Sequence, residues 1–340
     1  MNWKPPDHWI QITVVDAHTG GEPLRIYTAG YPKLPGDSIL AKRRYAIEHY
    51  DHLRTATMWE PRGHADMYGC VITEPVAADG DFGVLFLHNE GYSSMCGHGI
   101  IAVTKVVLET GLVNLATNKV SINIDTPAGR VTAFPHWSNN KVAAVSFLNV
   151  PAYVYALDQV ITLPELGKIK YDIAFGGAYY AFINADSVGV KLDQSGFRRL
   201  IELGSLIKQK VMTQTKITHP FEEDLGFLYG VIFVGEAYEQ ENHSRNVCIF
   251  ADGEVDRSPT GTGVSARSAL HFARGEIGIA ESIVVESILG SLFKVEVFEE
   301  TTFGPYKAVI PRVTGEAHIC GINKILIDPD DPLRNGFMLR

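Results

Sequence analysis

Two short segments of this 340-residue chain are versions of one another. The first, Met95-Cys96-Gly97-His98-Gly99-Ile100-Ile101-Ala102, leads into an apolar helical stretch that stops at Gly111. The second, Pro259-Thr260-Gly261-Thr262-Gly263-Val264-Ser265-Ala266, leads into a similar stretch that stops at Gly275. Aligning Cys96 with Thr260 also superimposes glycines 97/261, 99/263 and 111/275, and alanines 102/266. Self-similarity about half a chain apart points to a duplicated unit with one glycine-rich helix start in each half. One half presents a thiol at the critical position and the other a hydroxyl.

Around these motifs most of the chain reads as strand. Trp9–Val15, Gly69–Thr73, Phe82–Leu87, Val120–Asp125, Lys141–Val150, Tyr179–Ile183, Leu228–Val234, Arg245–Phe250, Ile283–Ser287 and Phe293–Phe298 are β-branched or aromatic. Helical patterns fall on Ser38–Tyr50, Gly97–Glu109, Ser195–Lys210 and Gly261–Arg274. Gly97–Glu109 is apolar nearly all round and therefore belongs inside a sheet, with the second motif helix its counterpart. Asp125-Thr126-Pro127-Ala128-Gly129 reads as a crossing between two lobes. The expected division is residues 1–124 with about 321–340 for the Cys96 lobe, and 125–320 for the Thr260 lobe.

Thirty Lys and Arg against 39 Asp and Glu leave a net charge of −9, which argues against a general nucleic-acid binder. Small anionic ligands need only local positive potential and are not excluded. Cys70, Cys96, Cys248 and Cys320 form no CxxC pair. Met1–Pro6 does not read as a secretory signal, and the apolar runs fall short of the ~20 residues a membrane span needs. The expectation is a cytoplasmic protein with reduced thiols and no membrane or nucleic-acid partner.

At a helix start, free N–H groups and the helix dipole stabilise negative charge. A thiol at Cys96 is thus expected to have a lowered pKa and to act as base or nucleophile. The glycines admit a ligand carboxylate close to the backbone N–H groups. Taken alone, Cys96 also fits an inert buried cysteine beside a cap. His98 is a candidate donor to substrate or holder of the thiolate. Cys96 and His98 are too few for a structural zinc site, and no other pair has ligand spacing. Asp256 either meets a cationic amine or makes a local turn bond. His18–Arg25 and Glu60–Gly69 are polar loops that either line a cleft or hydrogen-bond internally. Phe175-Gly176-Gly177-Ala178 is a close-packed backbone site.

His18-Thr19-Gly20-Gly21-Glu22-Pro23, Arg62-Gly63-His64-Ala65-Asp66-Met67, Met95-Cys96-Gly97-His98-Gly99 and Asp256-Arg257-Ser258-Pro259-x-Gly261-Thr262-Gly263 together resemble the proline racemase family. The motifs occur in the family's order from about residue 10 to about 330. The resemblance implies an α+β fold of the diaminopimelate epimerase type. It has two similar lobes, each a curved, mostly antiparallel sheet around a central helix, with the active site between them. It also implies a small imino-acid substrate and no cofactor or metal, and leaves room for a homodimer.

In the family's racemases and epimerases, two cysteines face Cα from opposite sides. By position Cys96 is the first, the proton acceptor, and Thr260 stands where the second would be. A hydroxyl lacks the acidity for reversible racemisation. The Cys/Thr pairing is that of the family's trans-3-hydroxy-L-proline dehydratases, hydro-lyases whose product is Δ1-pyrroline-2-carboxylate. The resemblance puts the substrate carboxylate on N–H groups of Gly97, His98, Gly261, Thr262 and Gly263. Asp256 and His98 then lie near the ring nitrogen, Tyr68 and Phe250 pack the ring, and Thr260 positions. The alternatives are a proline racemase or 4-hydroxyproline 2-epimerase with a non-standard second residue, and a non-catalytic imino-acid-binding protein.

Overall fold

A computed structural model describes residues 3–115 and 119–339; Met1 and Asn2 of the Met1–Pro6 segment lie outside them. Four helices are present among the described residues: α1 (Ile39–Met58), α2 (Gly97–Thr110), α3 (Phe197–Gln214) and α4 (Gly261–Ala273). Each starts close to where its sequence pattern predicts, and α1 runs on past the expected end at Tyr50 to Met58. Ser38 starts α1 by accepting the Ala41 N–H at 3.0 Å. Amphipathic α3 buries Leu200, Leu203, Ile207 and Val211, one stripe at helical spacing. Helices α2 and α4 end at glycines 111 and 275, which have φ of +66° and +71°, a conformation glycine adopts without a Cβ penalty.

The duplication seen in sequence is repeated in the strand pairing. In the first half Glu22–Ala29 runs parallel to Gly69–Thr73. Gly69–Thr73 is antiparallel to Phe82–Leu87, itself parallel to Ile122–Thr126, which is antiparallel to Gly129–Ser138. In the second half the same series runs through Tyr179–Asn184, Leu228–Gly235, Ser244–Phe250, Ser282–Glu286 and Leu292–Phe303. Parallel neighbours need a crossover connection. The four helices supply the four crossovers, with α1 and α2 in the first series and α3 and α4 in the second.

All the strands join in one continuous sheet that wraps the two motif helices. Helix α2 packs on Ile10–Thr19, Lys141–Leu148 and Ala317–Ile327, and α4 on Ala152–Leu163, Gly167–Phe175 and Leu292–Phe303. Both are buried over most of their length, up to the last turn, and a large apolar cluster runs through both. The Pro127–Gly129 interruption is a hairpin turn joining two strands of the first series, closed by Thr126 Oγ1 donating to the Gly129 carbonyl. Among the described residues no helix is long and apolar enough to cross a membrane.

Candidate functional site

The starts of α2 and α4 meet head to head. A Cβ on Gly97 would stand 2.5 Å from the Gly261 Cα, and one on Gly261 would stand 2.6 Å from the Gly97 Cα. These two glycines are therefore required by each other, in addition to any ligand. Gly99 and Gly263 repeat the symmetry one layer back. A Cβ on Gly99 would meet Phe86 and the Cys96 sulphur, and one on Gly263 would meet Ile232 and Thr260.

Around this junction lies a tight cavity of about 20 Å³, room for about one water molecule. Cys96, Gly97 and His98 line it from one side, and Asp256, Thr260, Gly261 and Thr262 from the other, with Tyr68 and Phe250 also in its wall. Of the residues expected from sequence, Gly263 is the exception. It faces Ile232 behind the wall. A larger hollow near Arg267 and Arg274 also contains Asp158, Asp172 and Glu276 but no thiol, so its size alone does not make it the reactive site.

Cys96 is the N-cap of α2, and its sulphur accepts the Gly99 N–H at 3.2 Å. The His98 ring places Nδ1 3.2 Å from that sulphur and Nε2 3.3 Å from the Pro23 carbonyl. A carbonyl only accepts, so Nε2 carries the proton and the Nδ1 lone pair faces the thiol. Sequence reasoning expected a lowered Cys96 pKa, and the structure corrects this. Burial pushes the thiol up, and the charges of Asp256 and Glu22 push the same way; the Gly99 N–H and the Tyr68 hydroxyl only partly offset them. Burial also pushes His98 down to about 3. Burial thus favours a neutral thiol beside a neutral imidazole, with the His98 Nδ1 lone pair turned toward the sulphur.

Thr260 occupies the matching place at α4 in a different state. Its φ is +67°, rare for a β-branched residue. It is 4% exposed, and its Oγ1 has no hydrogen-bond partner of acceptable geometry. The hydroxyl is nevertheless near enough to Asp256 to favour the ionised carboxylate. Asp256 is pushed up to about 6, chiefly by burial, and accepts the Ser258 N–H at 2.7 Å.

The His18–Pro23 motif acts as a brace. Thr19 Oγ1 donates to the His98 carbonyl at 2.9 Å, Pro23 receives His98 Nε2–H, and Glu22 accepts the Arg257 N–H at 2.7 Å. One turn thus fixes both helix starts. Arg25 and Arg62 are structural, bound to Asp16 and to backbone carbonyls of Thr57, Ala56 and Leu333. The Phe175–Ala178 segment packs over both starts, with Ser94 donating to the Gly177 carbonyl at 2.6 Å and Gly176 pressed against Ser265.

Three further wall residues, Tyr180, Tyr229 and Cys248, were not among the site candidates read from the sequence. Tyr180 and Thr262 share a 2.6 Å hydrogen bond between their hydroxyls. Tyr229 stacks on Phe250 with centroids 5.4 Å apart. Each comes from a strand whose residues read as ordinary core. No group of three or more His, Cys, Asp or Glu among the described residues is arranged to hold a metal.

Known proteins resemble this chain along nearly its whole length. Residues 14–338 match the proline racemase family. The chain belongs to that family. A trans-3-hydroxy-L-proline dehydratase of Colwellia psychrerythraea is 49% identical over 99% of this chain and 96% of its own. A 3-hydroxyproline 2-epimerase of Burkholderia multivorans is 42% identical over 97% and 98%. Among solved structures, a hydroxyproline epimerase of Agrobacterium vitis with bound trans-4-hydroxy-L-proline superposes with a TM-score of 0.93. It is 29% identical and covers 98% of this chain and 96% of its own. The α+β architecture described above is therefore the proline racemase fold.

Proposed function

We propose that this protein dehydrates trans-3-hydroxy-L-proline to Δ1-pyrroline-2-carboxylate. The observation that carries the reading is the pairing of Cys96 with Thr260 across one buried cavity. One face of a bound ring has a sulphur base, and the other a hydroxyl too weakly acidic to return a proton. The 49% identical dehydratase supports the same reading.

In the proposed mechanism the substrate carboxylate lies on N–H groups of the two helix starts, from Gly97 and His98 on one side and Gly261 and Thr262 on the other. These donors stabilise the charge that builds on the carboxylate as Cα loses its proton. Asp256, ionised above pH ~6, faces the cationic ring nitrogen. That cation brings positive charge to a site where burial otherwise holds the Cys96 thiol protonated, and so favours the thiolate. His98 Nδ1 takes the thiol proton because the thiolate forming 3.2 Å away offsets the burial that otherwise holds the ring neutral, and the thiolate removes the Cα proton. Tyr68, Tyr229 and Phe250 exclude water from the carbanion-like state. In the trans isomer the 3-hydroxyl shares a face with the Cα hydrogen, so both groups leave toward Cys96. Thr260 holds the opposite face.

The test is to incubate purified protein with trans-3-hydroxy-L-proline, trans-4-hydroxy-L-proline and L-proline separately, without additives, and to resolve products by chiral chromatography. Dehydration of the first substrate, without inversion of the others at a rivalling rate, is the expected result. The 42% identical epimerase favours a second reading, inversion at Cα of a 3-hydroxyproline. Formation of the 2-epimer faster than the dehydrated product would select it.

A further inference from the structure

Loss of the 3-hydroxyl needs an acid. When C–H and C–O cleavage overlap, Cys96 is still receiving the Cα proton as the C–O bond weakens, so the acid at that moment is a different group. The cavity wall contains a second proton donor on the same side. The Tyr68 hydroxyl donates to Ser93 Oγ at 2.8 Å and lies 3.3 Å from the Tyr229 hydroxyl. It is also near enough to the Cys96 sulphur to stabilise a thiolate there. The Tyr68 ring packs edge-on to His98 with centroids 4.8 Å apart, so it belongs to the Cys96 face. Tyr68 is 2% exposed and Tyr229 6%. A purely packing role, as the family resemblance assigns to Tyr68, calls for the ring but not for two hydroxyls linked across the cavity wall.

We propose that Tyr68, backed by Tyr229, is the acid that protonates the departing 3-hydroxyl. The inference rests on the dehydratase reading. Proton and electron movements close without any co-reactant. The Cα–H electron pair becomes the Cα–C3 π bond, and the Cα proton goes to the Cys96 sulphur. The C3–O pair leaves with oxygen, which takes the Tyr68 proton and departs as water. The phenolate oxygen then recovers a proton from the adjacent Cys96 thiol, restoring both groups. Burial pushes both tyrosine hydroxyls up, which keeps them protonated and makes them donors, not bases. Tyr229 supplies a hydrogen bond to the Tyr68 oxygen while charge builds on it.

The test uses Tyr68→Phe and Tyr229→Phe with trans-3-hydroxy-L-proline in deuterated buffer. Two rates are read from each sample: formation of dehydrated product, and deuterium entry at Cα of unreacted substrate. Wild-type turnover is measured first, and its absence refutes the dehydratase reading itself. Given turnover, Y68F is expected to lower dehydration about 100-fold, within the range for a general acid. Deuterium entry should fall far less, so the ratio of exchange to elimination rises at least tenfold. Y229F should move the ratio in the same direction by a smaller factor. A packing role for Tyr68 lowers both rates together, because both need the same bound geometry. An unchanged ratio in Y68F, with or without loss of activity, overturns the proposal.

Discussion

The starts of α2 and α4 share a backbone plan and differ in what their cap residue is left free to do. Cys96 sits at φ −145°, in ordinary extended geometry, with its sulphur bonded to the Gly99 N–H and facing a histidine of fixed tautomer. Thr260 sits at φ +67° with no side-chain cap bond, its hydroxyl beside Asp256. Such backbone strain costs about 1–3 kcal/mol and persists only where the surroundings impose it. The two halves thus share a frame, while their caps are bonded differently. One is tied to its own helix start and faces a histidine; the other makes no cap bond to its helix.

The sharpest way to break this contrast is to disarm the Cys96 side. Cys96→Ser is expected to lower turnover by at least about 10³-fold with the fold intact, because an alcohol cannot replace a thiolate base. Near-normal turnover, with an unchanged circular dichroism spectrum, would remove Cys96 from the chemistry. The converse is to arm the Thr260 side. Thr260→Cys should confer inversion of L-proline or trans-4-hydroxy-L-proline that wild type lacks, seen as D-isomer on chiral analysis. Dehydration should survive in part. Inversion by the wild type at a rate rivalling dehydration would erase the functional difference between the two faces.

The shared frame has its own test. Alanine in a helix usually gains on glycine by up to about 1 kcal/mol. At Gly97 or Gly261 the new Cβ would stand only 2.5 or 2.6 Å from the opposite backbone. Overpacking there should reverse the sign, with G97A and G261A each losing about 1–3 kcal/mol in denaturant titration. Wild-type stability in both would mean that the helix starts separate at no cost.

The smallest expected effect is on pH dependence. Asp256, pushed up to about 6, should give kcat/KM an acid limb near that pH as the carboxylate is lost. The Thr260 hydroxyl favours the ionised form, so Thr260→Val should move the limb upward, by less than about one unit. A downward shift would contradict the assignment. Stability runs the other way from activity. Asp256 binds its proton more tightly when folded than at its ordinary 3.8, so its protonated form adds stability below that value. The contribution is lost as pH rises through 6.

The four helices were legible because each carries its own periodicity, and the Gly-rich starts because the chain states them twice. Several strands were not. Ala152–Leu163 and Gly167–Phe175 are studded with Lys, Asp and Gln on an outer face, and register shifts near Val154 and Ala156 break the alternation. Tyr306–Gly315 contains Pro311, and Glu22–Ala29 opens on a turn-like Glu-Pro. At the site, Cys96, His98, Asp256 and Thr260 were legible from motif position. The ionisation of Cys96 was not, because it depends on closure by strands distant in sequence. Tyr180 and Tyr229 likewise look like core until the fold brings their hydroxyls to one wall.

The near-complete enclosure of Cys96, 4% exposed at the junction of the two helix starts, has a kinetic consequence. A soluble alkylating reagent reaches that sulphur only when the surrounding walls part. Its rate of labelling therefore reads out the breathing of the molecule, and a ligand that holds the walls together protects the sulphur without touching it.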